Sequence, residues 1–179
     1  DYSQYVNPMI GTDFTGNTYP GAQVPFGMVQ LSPDNGLPGW DRISGYFYPD
    51  TTIAGFSHTH LSGTGAGDLY DISFMPVTRP YKEAPAPLGI YSTFSHNDEA
   101  ASAGYYRVLL KDYNINVELT ATERCGIQRY TFPEAEASVF LNLKKAMNWD
   151  FTLDSKIEVV DSTTIRGYRL SQGWSPLQH

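Results

Sequence analysis

The strictest pattern in this chain is an alternation of apolar and polar residues over positions 115–122. Ile115, Val117, Leu119 and Ala121 are apolar, and the residue after each of them is polar or charged. Successive side chains of an extended chain point to opposite faces, so a period of two predicts a β-strand with one buried face. This strand therefore belongs to a sheet that packs one face on a hydrophobic core.

Shorter segments rich in β-branched and aromatic residues recur along the rest of the chain, separated by proline and glycine. The predicted strands are residues 26–31, 44–48, 52–57, 70–76, 105–110, 115–122, 126–132, 139–143, 157–160 and 165–170. No segment of twelve or more residues combines helical periodicity with capping residues. These features predict an all-β fold, a β-sandwich or a related large double sheet, formed by residues 1–179 as one domain.

The charge and composition of the chain exclude several classes of partner. Its formal net charge is −7 and its Lys and Arg residues form no cluster, so nucleic acid is excluded as the main partner. The sequence contains no run of eighteen apolar residues, about the length needed to span a membrane. The single cysteine, Cys125, excludes an internal disulfide. The chain begins at Asp1 and stops soon after a predicted strand, so we expect a processed secreted protein or a fragment of a larger one.

Side chains suited to binding small polar ligands concentrate between residues 39 and 71. They are Trp40, Asp41, His58, His60, Asp68 and Asp71, with glycines at 63, 65 and 67. Glycine at every second position weakens regular structure, so these glycines indicate a backbone that bends sharply or lies close to something. The local composition is that of a site rather than of a core.

Trp40 and Asp41 follow Pro38-Gly39 and are predicted to lie at a loop tip. An indole offers a flat apolar platform, and a neighbouring carboxylate accepts hydrogen bonds from hydroxyl groups, which is the mixture that a saccharide pocket needs. Plain packing of Trp40 is the alternative.

His58 and His60 end a predicted strand, and their spacing puts both imidazoles on one face of it. Three interpretations stay open: hydrogen bonding to a ligand, structural histidines, and a zinc site completed by Asp68 or Asp71. The glycine run is not a phosphate loop, because it lacks the Gly-Lys-Ser/Thr ending and has Asp68 where a dinucleotide fingerprint requires glycine. It is either a tight connection or a backbone that makes room for a sugar ring.

Several blocks of the sequence resemble one known family. They are VNPMIGT at 6–12, YPGAQVPFGMVQLSPD at 19–34, GWDRISGYFY at 39–48, GFSHTHLSGTGAGDLYDISFMP at 55–76, GYYRVLL at 104–110 and VELTATERCGIQRYTFP at 117–133. In this order, across nearly the whole chain, they are similar to the N-terminal domain of glycoside hydrolase family 92, the bacterial exo-acting α-mannosidases.

The resemblance implies a galactose mutarotase-like β-supersandwich that packs against a larger (α/α)6-barrel domain, with the active site at the seam. It implies a calcium-dependent, inverting enzyme, secreted or periplasmic, that trims α-linked mannose from glycans. The general acid, the general base and most calcium ligands would lie in the barrel, outside these 179 residues. This chain would then hold no catalytic or metal-binding residue, and its β-domain would be incomplete at its C-terminal end.

By position in the matching blocks, the resemblance implies that Trp40, Asp41, His58 and His60 contact substrate. The alternatives are a noncatalytic carbohydrate-binding module, a structural β-domain that mediates contact between domains, and a zinc hydrolase built on the His-x-His pair.

Overall fold

A computed structural model describes residues 2–63, 65, 67–144 and 147–174, and within them the chain is almost entirely β-structure. The strands are β1 (Ala22–Gln23), β2 (Gln30–Asp34), β3 (Thr52–Ile53), β4 (Gly55–Ser57), β5 (Ser73–Thr78), β6 (Glu83–Ala84), β7 (Gly89–Ile90), β8 (Ser92–Thr93), β9 (Glu99–Ser102), β10 (Tyr105–Leu110), β11 (Ile115–Ala121), β12 (Gly126–Thr131), β13 (Ala137–Asn142), β14 (Phe151–Val159) and β15 (Ile165–Gln172). Three short 3₁₀ helices lie at Ser3–Tyr5, Trp40–Arg42 and His96–Asp98. None of the helices in these ranges is long and apolar enough to cross a membrane.

Two antiparallel sheets form the body of the domain. One has the strand order β1-β2-β4-β5-β13, and the other has the order β9-β10-β11-β12. Leu31, Phe56 and Val77 from the first sheet and Val108 and Leu119 from the second belong to one buried cluster. The core therefore lies between the sheets, and the predicted all-β sandwich is confirmed.

Strand β11 has the burial pattern that its sequence predicts. Its apolar residues face the core, and the residues between them point outward. On the outer face the Arg129 guanidinium donates two hydrogen bonds, of 2.6 and 2.5 Å, to the Glu118 carboxylate, and the Tyr105 hydroxyl donates a third at 2.6 Å. This ion pair holds the pKa of Glu118 down at about 2. A charged outer face and an apolar inner face fix the orientation of the strand.

The strand predicted at residues 26–31 is misplaced. Strand β2 begins at Gln30 and continues through Pro33 to Asp34. Proline was expected to end the strand because it cannot donate to the sheet ladder. Strand β1 pairs only with Gln30 and Leu31, however, so Pro33 has a strand neighbour on one side alone, opposite Phe56.

The strand predicted at residues 44–48 is also wrong, because this segment turns instead of extending. Gly45 has a φ of +88°, and a Cβ on it would lie 2.6 Å from the Asp34 carboxylate. The Asn35 side chain accepts a hydrogen bond of 2.6 Å from the Phe47 N–H, which holds the turn against β2. Aromatic residues that looked like a strand therefore line a turn.

Strands β14 and β15 form a hairpin where strands were predicted at residues 157–160 and 165–170, but both strands are longer than expected. The turn closes with a 2.9 Å hydrogen bond from the Val160 N–H to the Thr164 carbonyl. Most side chains of the hairpin are exposed, and at its base the guanidinium of Arg169 is buried. The hairpin thus extends from the sandwich and is anchored at one end.

Candidate functional site

The three tryptophans of the chain meet on one surface. The rings of Trp40 and Trp149 lie 6.0 Å apart with their planes at 74°, and the rings of Trp149 and Trp174 lie 6.0 Å apart at 59°. All three are exposed, although large aromatic side chains usually bury most of their area. We name these three residues the tryptophan cluster.

Trp40 is held by a short, well-anchored helix. It opens the 3₁₀ helix Trp40–Arg42, whose last residue makes a two-pronged ion pair with Asp50 at 2.6 and 2.5 Å. The Arg42 guanidinium also lies over the Phe47 ring, 4.6 Å from its centre. Two-pronged ion pairs of this kind restrain side-chain geometry as well as adding interaction energy. The helix that carries the Trp40 indole is therefore held in place.

Asn148 joins the loop that carries Trp40 to the loop that carries Trp149. Its side-chain oxygen accepts a 2.8 Å hydrogen bond from the Gly39 N–H, and its amide nitrogen lies 3.4 Å from the Tyr70 hydroxyl. Its φ of +56° lies in the left-handed region, which asparagine tolerates better than most residues. Asn148 therefore sets the spacing of the two indoles.

The glycine-rich loop lies against Asn148, the residue before Trp149. A Cβ on Gly67 would lie 2.6 Å from the Asn148 side chain, so only glycine allows this approach. Gly63 turns the chain with a φ of +87°, and its N–H donates a 2.7 Å hydrogen bond to the Asn17 carbonyl. The glycines thus provide both a bend and a close approach, as the sequence predicted, although residues 64 and 66 lie outside the described residues.

Two aspartates that follow the glycine loop have internal partners. The Asp68 carboxylate accepts a 2.7 Å hydrogen bond from the Trp174 N–H. Asp71 makes an ion pair with the buried guanidinium of Arg169, which also pairs with Asp150. Among the described residues, no group of three or more His, Cys, Asp or Glu side chains could hold a metal ion.

His58 is half-buried and neutral. Its Nδ1 lies 2.8 Å from the Ile72 carbonyl, which can only accept, so Nδ1 carries the proton. Burial lowers the pKa of this imidazole below 6.5, and the bond to Ile72 partly opposes that shift. The ring also packs edge-to-face on Phe74.

His60 lies inside the domain, with only 3% of its surface exposed. Its Nδ1 lies 2.7 Å from the Gln30 carbonyl, and its Nε2 lies 2.8 Å from the Asp34 carboxylate and 3.1 Å from the Ser57 hydroxyl. Both ring nitrogens of His60 therefore hydrogen-bond to groups inside the domain. His58 bonds instead to the Ile72 carbonyl.

Asp41 lies beside Trp40 and is half-buried, with no side-chain hydrogen bond to any described residue. Of the four side chains predicted to contact substrate, Trp40 and Asp41 are therefore adjacent at the surface, His58 is partly accessible, and His60 is enclosed. Their contact with substrate stays a prediction.

The sequence analysis missed Asn148, Trp149 and Trp174 as members of this site. Trp149 and Asp150 repeat the Trp-Asp pair of residues 40–41, which was a usable signal. Position alone could not reveal that segments 109 residues apart, such as those of Gly39 and Asn148, are bonded to each other.

Several solved structures similar to this chain are family 92 glycoside hydrolases. One is a family 92 α-mannosidase from Bacteroides thetaiotaomicron, also solved in complex with mannoimidazole; it is 43% identical with a TM-score of 0.91, over 97% of this chain and 24% of its own. Another, an inverting mannosidase of this family from Bacteroides thetaiotaomicron VPI-5482, is 30% identical with a TM-score of 0.69, over 89% of this chain and 21% of its own.

Residues 5–179 match the glycosyl hydrolase family 92 N-terminal domain, and the chain belongs to that family. A protein from Arthroderma benhamiae described as an uncharacterized secreted glycosidase is 28% identical in an alignment over 147 residues that covers 76% of this chain and 18% of that protein. The chain thus spans a quarter or less of the length of these relatives.

Proposed function

We propose that this chain is the N-terminal β-sandwich domain of an exo-acting, inverting α-mannosidase and that its tryptophan cluster binds the terminal mannose of a glycan. The similarity to solved family 92 mannosidases, one of them solved with mannoimidazole and another described as inverting, supports this proposal. The active site would lie between this domain and a larger (α/α)6-barrel domain of the same protein.

The observation that carries the proposal is the exposed tryptophan cluster beside the half-buried Asp41 carboxylate, which interacts electrostatically with Arg42. A sugar ring has an apolar face that packs on an indole and a rim of hydroxyls that need hydrogen-bond acceptors. Trp40 and Asp41 offer both on adjacent residues. Plain core packing does not explain Trp40, because about half of its surface is exposed.

An inverting glycosidase needs one carboxylic acid on the leaving oxygen and one carboxylate that activates water on the opposite face of the sugar, about 6.5–9.5 Å apart. We assign both to the larger domain. The residues of this chain would bind the terminal sugar, orient it and exclude water, which lowers the barrier without proton transfer.

Calcium is part of the proposal for the parent enzyme, where it would bind sugar hydroxyls and favour a distorted ring. Following the resemblance to family 92, we assign the ion mainly to the larger domain and derive no step from it. We also propose that the parent enzyme is secreted or periplasmic, in line with the description of its fungal relative as secreted.

We propose that His60 also supports the site from inside the domain, and the predicted contacts of His58 and His60 with substrate remain part of the proposal. The ring of His60 packs between Tyr19 and Tyr70, at 5.1 and 5.9 Å, and Tyr70 in turn contacts Asn148. A path of buried contacts therefore runs from His60 to the loops of the tryptophan cluster. Trp40 and Asp41 would contact the sugar directly.

The test is Trp40→Ala in the full-length enzyme. We expect kcat/KM for an α-mannoside to fall about ten-fold or more, equivalent to about 1.4 kcal/mol of lost transition-state binding. Tyr168→Ala is the matched control, because Tyr168 is 47% exposed against 51% for Trp40 and lies on the hairpin. Equal kcat/KM values in the two variants would contradict the proposal.

A further inference from the structure

A carboxylate at the start of β9 is fully buried and surrounded by donors. The Glu99 side chain is 0% exposed. The Tyr106 hydroxyl donates a 2.5 Å hydrogen bond to one of its oxygens, and the Tyr46 hydroxyl lies 3.0 Å from both. The Nδ1 atom of His96 lies 2.6 Å from the other oxygen. A buried charge is stable only when it is paired and hydrogen-bonded, and Glu99 meets both conditions.

His96 lies between two groups that accept hydrogen bonds. Its Nε2 lies 2.7 Å from the Tyr48 carbonyl, which can only accept, so Nε2 carries a proton. Its Nδ1 faces the Glu99 carboxylate, so a second proton must lie between these two groups. The Tyr48 ring stacks on the imidazole, with centres 3.9 Å apart and planes at 6°, and an aromatic face favours a cation. The geometry is therefore that of a doubly protonated His96 beside an ionised Glu99.

Tyr48 lies in the turn that follows Gly45, and hydrogen bonds fix its backbone on both sides. Its N–H donates a 2.8 Å hydrogen bond to the Thr12 carbonyl, and its carbonyl accepts the bond from His96. The turn is thus tied at Tyr48 to the short helix His96–Asp98 that precedes β9.

The same turn anchors the helix that begins with Trp40. Two residues after Tyr48, the Asp50 N–H donates a 2.9 Å hydrogen bond to the Phe47 carbonyl. The Asp50 carboxylate makes the two-pronged ion pair with Arg42, the last residue of the helix. A displacement of the turn at residue 48 would therefore move the carboxylate that holds this helix.

We infer that His96 is a positioning residue for Trp40 and that it acts only while a proton lies between its Nδ1 and Glu99. With this proton, the ring bonds to both Tyr48 and Glu99. Without it, the Nδ1 lone pair faces a buried carboxylate that has lost its cation, and the resulting repulsion displaces the ring and releases the turn. The inference rests on the proposed function only in assigning Trp40 to the sugar site.

The imidazole is the group of this network that is expected to lose a proton near neutral pH. The other titratable and charged groups around the pair are Arg42, Tyr46, Tyr48 and Asp50 on the turn side, Asp98 in the short helix, and Tyr106 on β10. Burial raises the pKa of Tyr46 and of Tyr106, so both hydroxyls keep the protons that they donate to Glu99. The His96 side chain is 31% exposed, so solvent reaches the ring. Histidine is the side chain that ordinarily titrates between about pH 5 and about pH 8.

The experiment uses the full-length enzyme and Glu99→Gln. A glutamine oxygen accepts from Tyr46 and Tyr106 as the carboxylate does, and its amide nitrogen donates to Nδ1 of a neutral His96. Every hydrogen bond of the network then persists without the titrating proton. Hydrogen exchange, corrected for its intrinsic pH dependence, measures the amide protection of residues 47–50. From about pH 6 to about pH 8.5 we expect this protection to fall at least about ten-fold in the wild type and to stay unchanged in Glu99→Gln.

His96→Leu removes the bonds of the ring to both Tyr48 and Glu99. The amide protection of residues 47–50 should be low in this variant at both pH values. At about pH 6, kcat/KM for an α-mannoside should be about ten-fold below the wild type, because Trp40 is no longer held in place. Glu99→Gln should keep the wild-type kcat/KM at this pH.

Glu118→Gln is the matched control. Glu118 is a carboxylate of the same sheet that also accepts from a tyrosine hydroxyl and from a cation, Tyr105 and Arg129. It lies on the outer face of the sheet, so this variant should keep the wild-type pH dependence of protection at residues 47–50.

Four results would overturn the inference: equal protection of the wild type at the two pH values, an equally steep fall in Glu99→Gln, wild-type protection in His96→Leu, or an effect of Glu118→Gln equal to that of Glu99→Gln. If His96→Leu does not fold, the comparison of the wild type with Glu99→Gln still decides, because that variant loses no contact. Normal kcat/KM in Trp40→Ala together with pH-dependent protection would contradict the proposed function and leave the control of the turn by His96 standing.

Discussion

At the scale of single residues, the site depends on side chains that hold loops rather than on those that face solvent. Asn148 bonds to Gly39 and contacts Tyr70, and Gly67 leaves the room that it needs. Trp40 and Trp149 stay 6.0 Å apart because of these contacts. Residues behind the indoles therefore set the geometry of the proposed sugar site.

His58 gives the domain a pH dependence. Burial lowers its pKa below 6.5 in the folded state, so the unfolded chain binds a proton first as the pH falls, and the free energy of unfolding decreases. We expect this decrease between about pH 7.5 and about pH 5.5. In His58→Asn, whose amide can still donate to the Ile72 carbonyl, the decrease should be smaller. Urea unfolding at both pH values measures it, and identical pH dependence in the two proteins would contradict the prediction.

The sequence predicted part of this site for a clear reason. Trp40 and Asp41 follow Pro38-Gly39, and local turn chemistry is sufficient to indicate an exposed loop. The enclosure of His60 could not be predicted, because its partner Asp34 is 26 residues away and is brought near by the pairing of β2 with β4. Pairing between strands that are distant in sequence therefore determines that His60 is enclosed while His58 is partly accessible.

At the scale of elements, the hairpin of β14 and β15 is fastened by Arg169. Its guanidinium is 1% exposed, pairs with Asp71 and Asp150, and donates through Nε to Thr152 at 3.1 Å. Arg169→Met leaves two carboxylates without their cation and should lower the free energy of unfolding by about 3–5 kcal/mol.

Arg166→Met provides the control on the same strand. Arg166 pairs with Glu158 in solvent, and exposed pairs contribute about 0–1 kcal/mol. Chemical unfolding of the two variants should differ by at least about 2 kcal/mol. Similar losses in both would show that the buried ion pairs do not anchor the hairpin.

The secondary-structure elements differ in how well their sequences predict them. Strand β11 was clear because one face is buried and the other charged. The turn at Gly45 was read as a strand because its aromatic neighbours favour extended structure, whereas the contact with Asp34 that forces the turn is distant in sequence. Sequence patterns predict strands where buried and exposed residues alternate regularly. They fail where a single tertiary contact determines the backbone conformation.

At the scale of the whole molecule, we proposed that this domain binds the sugar and that the larger domain transfers protons. This assignment predicts what each domain can do alone. The 179-residue chain alone should release no mannose from an α-mannoside, while the full-length enzyme should turn over, because the proton-transferring carboxylates are assigned to the other domain. Reducing-sugar release by both proteins at equal concentration measures this. Turnover by the isolated chain would contradict the division, and mannan binding without turnover would support a carbohydrate-binding role.

Two exposed phenylalanines near the start of the chain, Phe14 and Phe26, also bear on how the protein is made. An N-terminal domain leaves the ribosome first, and at about 5–20 residues per second a following segment three times its length takes on the order of a minute to emerge. During that interval the side chains of Phe14 and Phe26 face water. Exposed aromatic side chains favour aggregation during synthesis, so we expect slower translation of the following segment to lower the yield of folded protein.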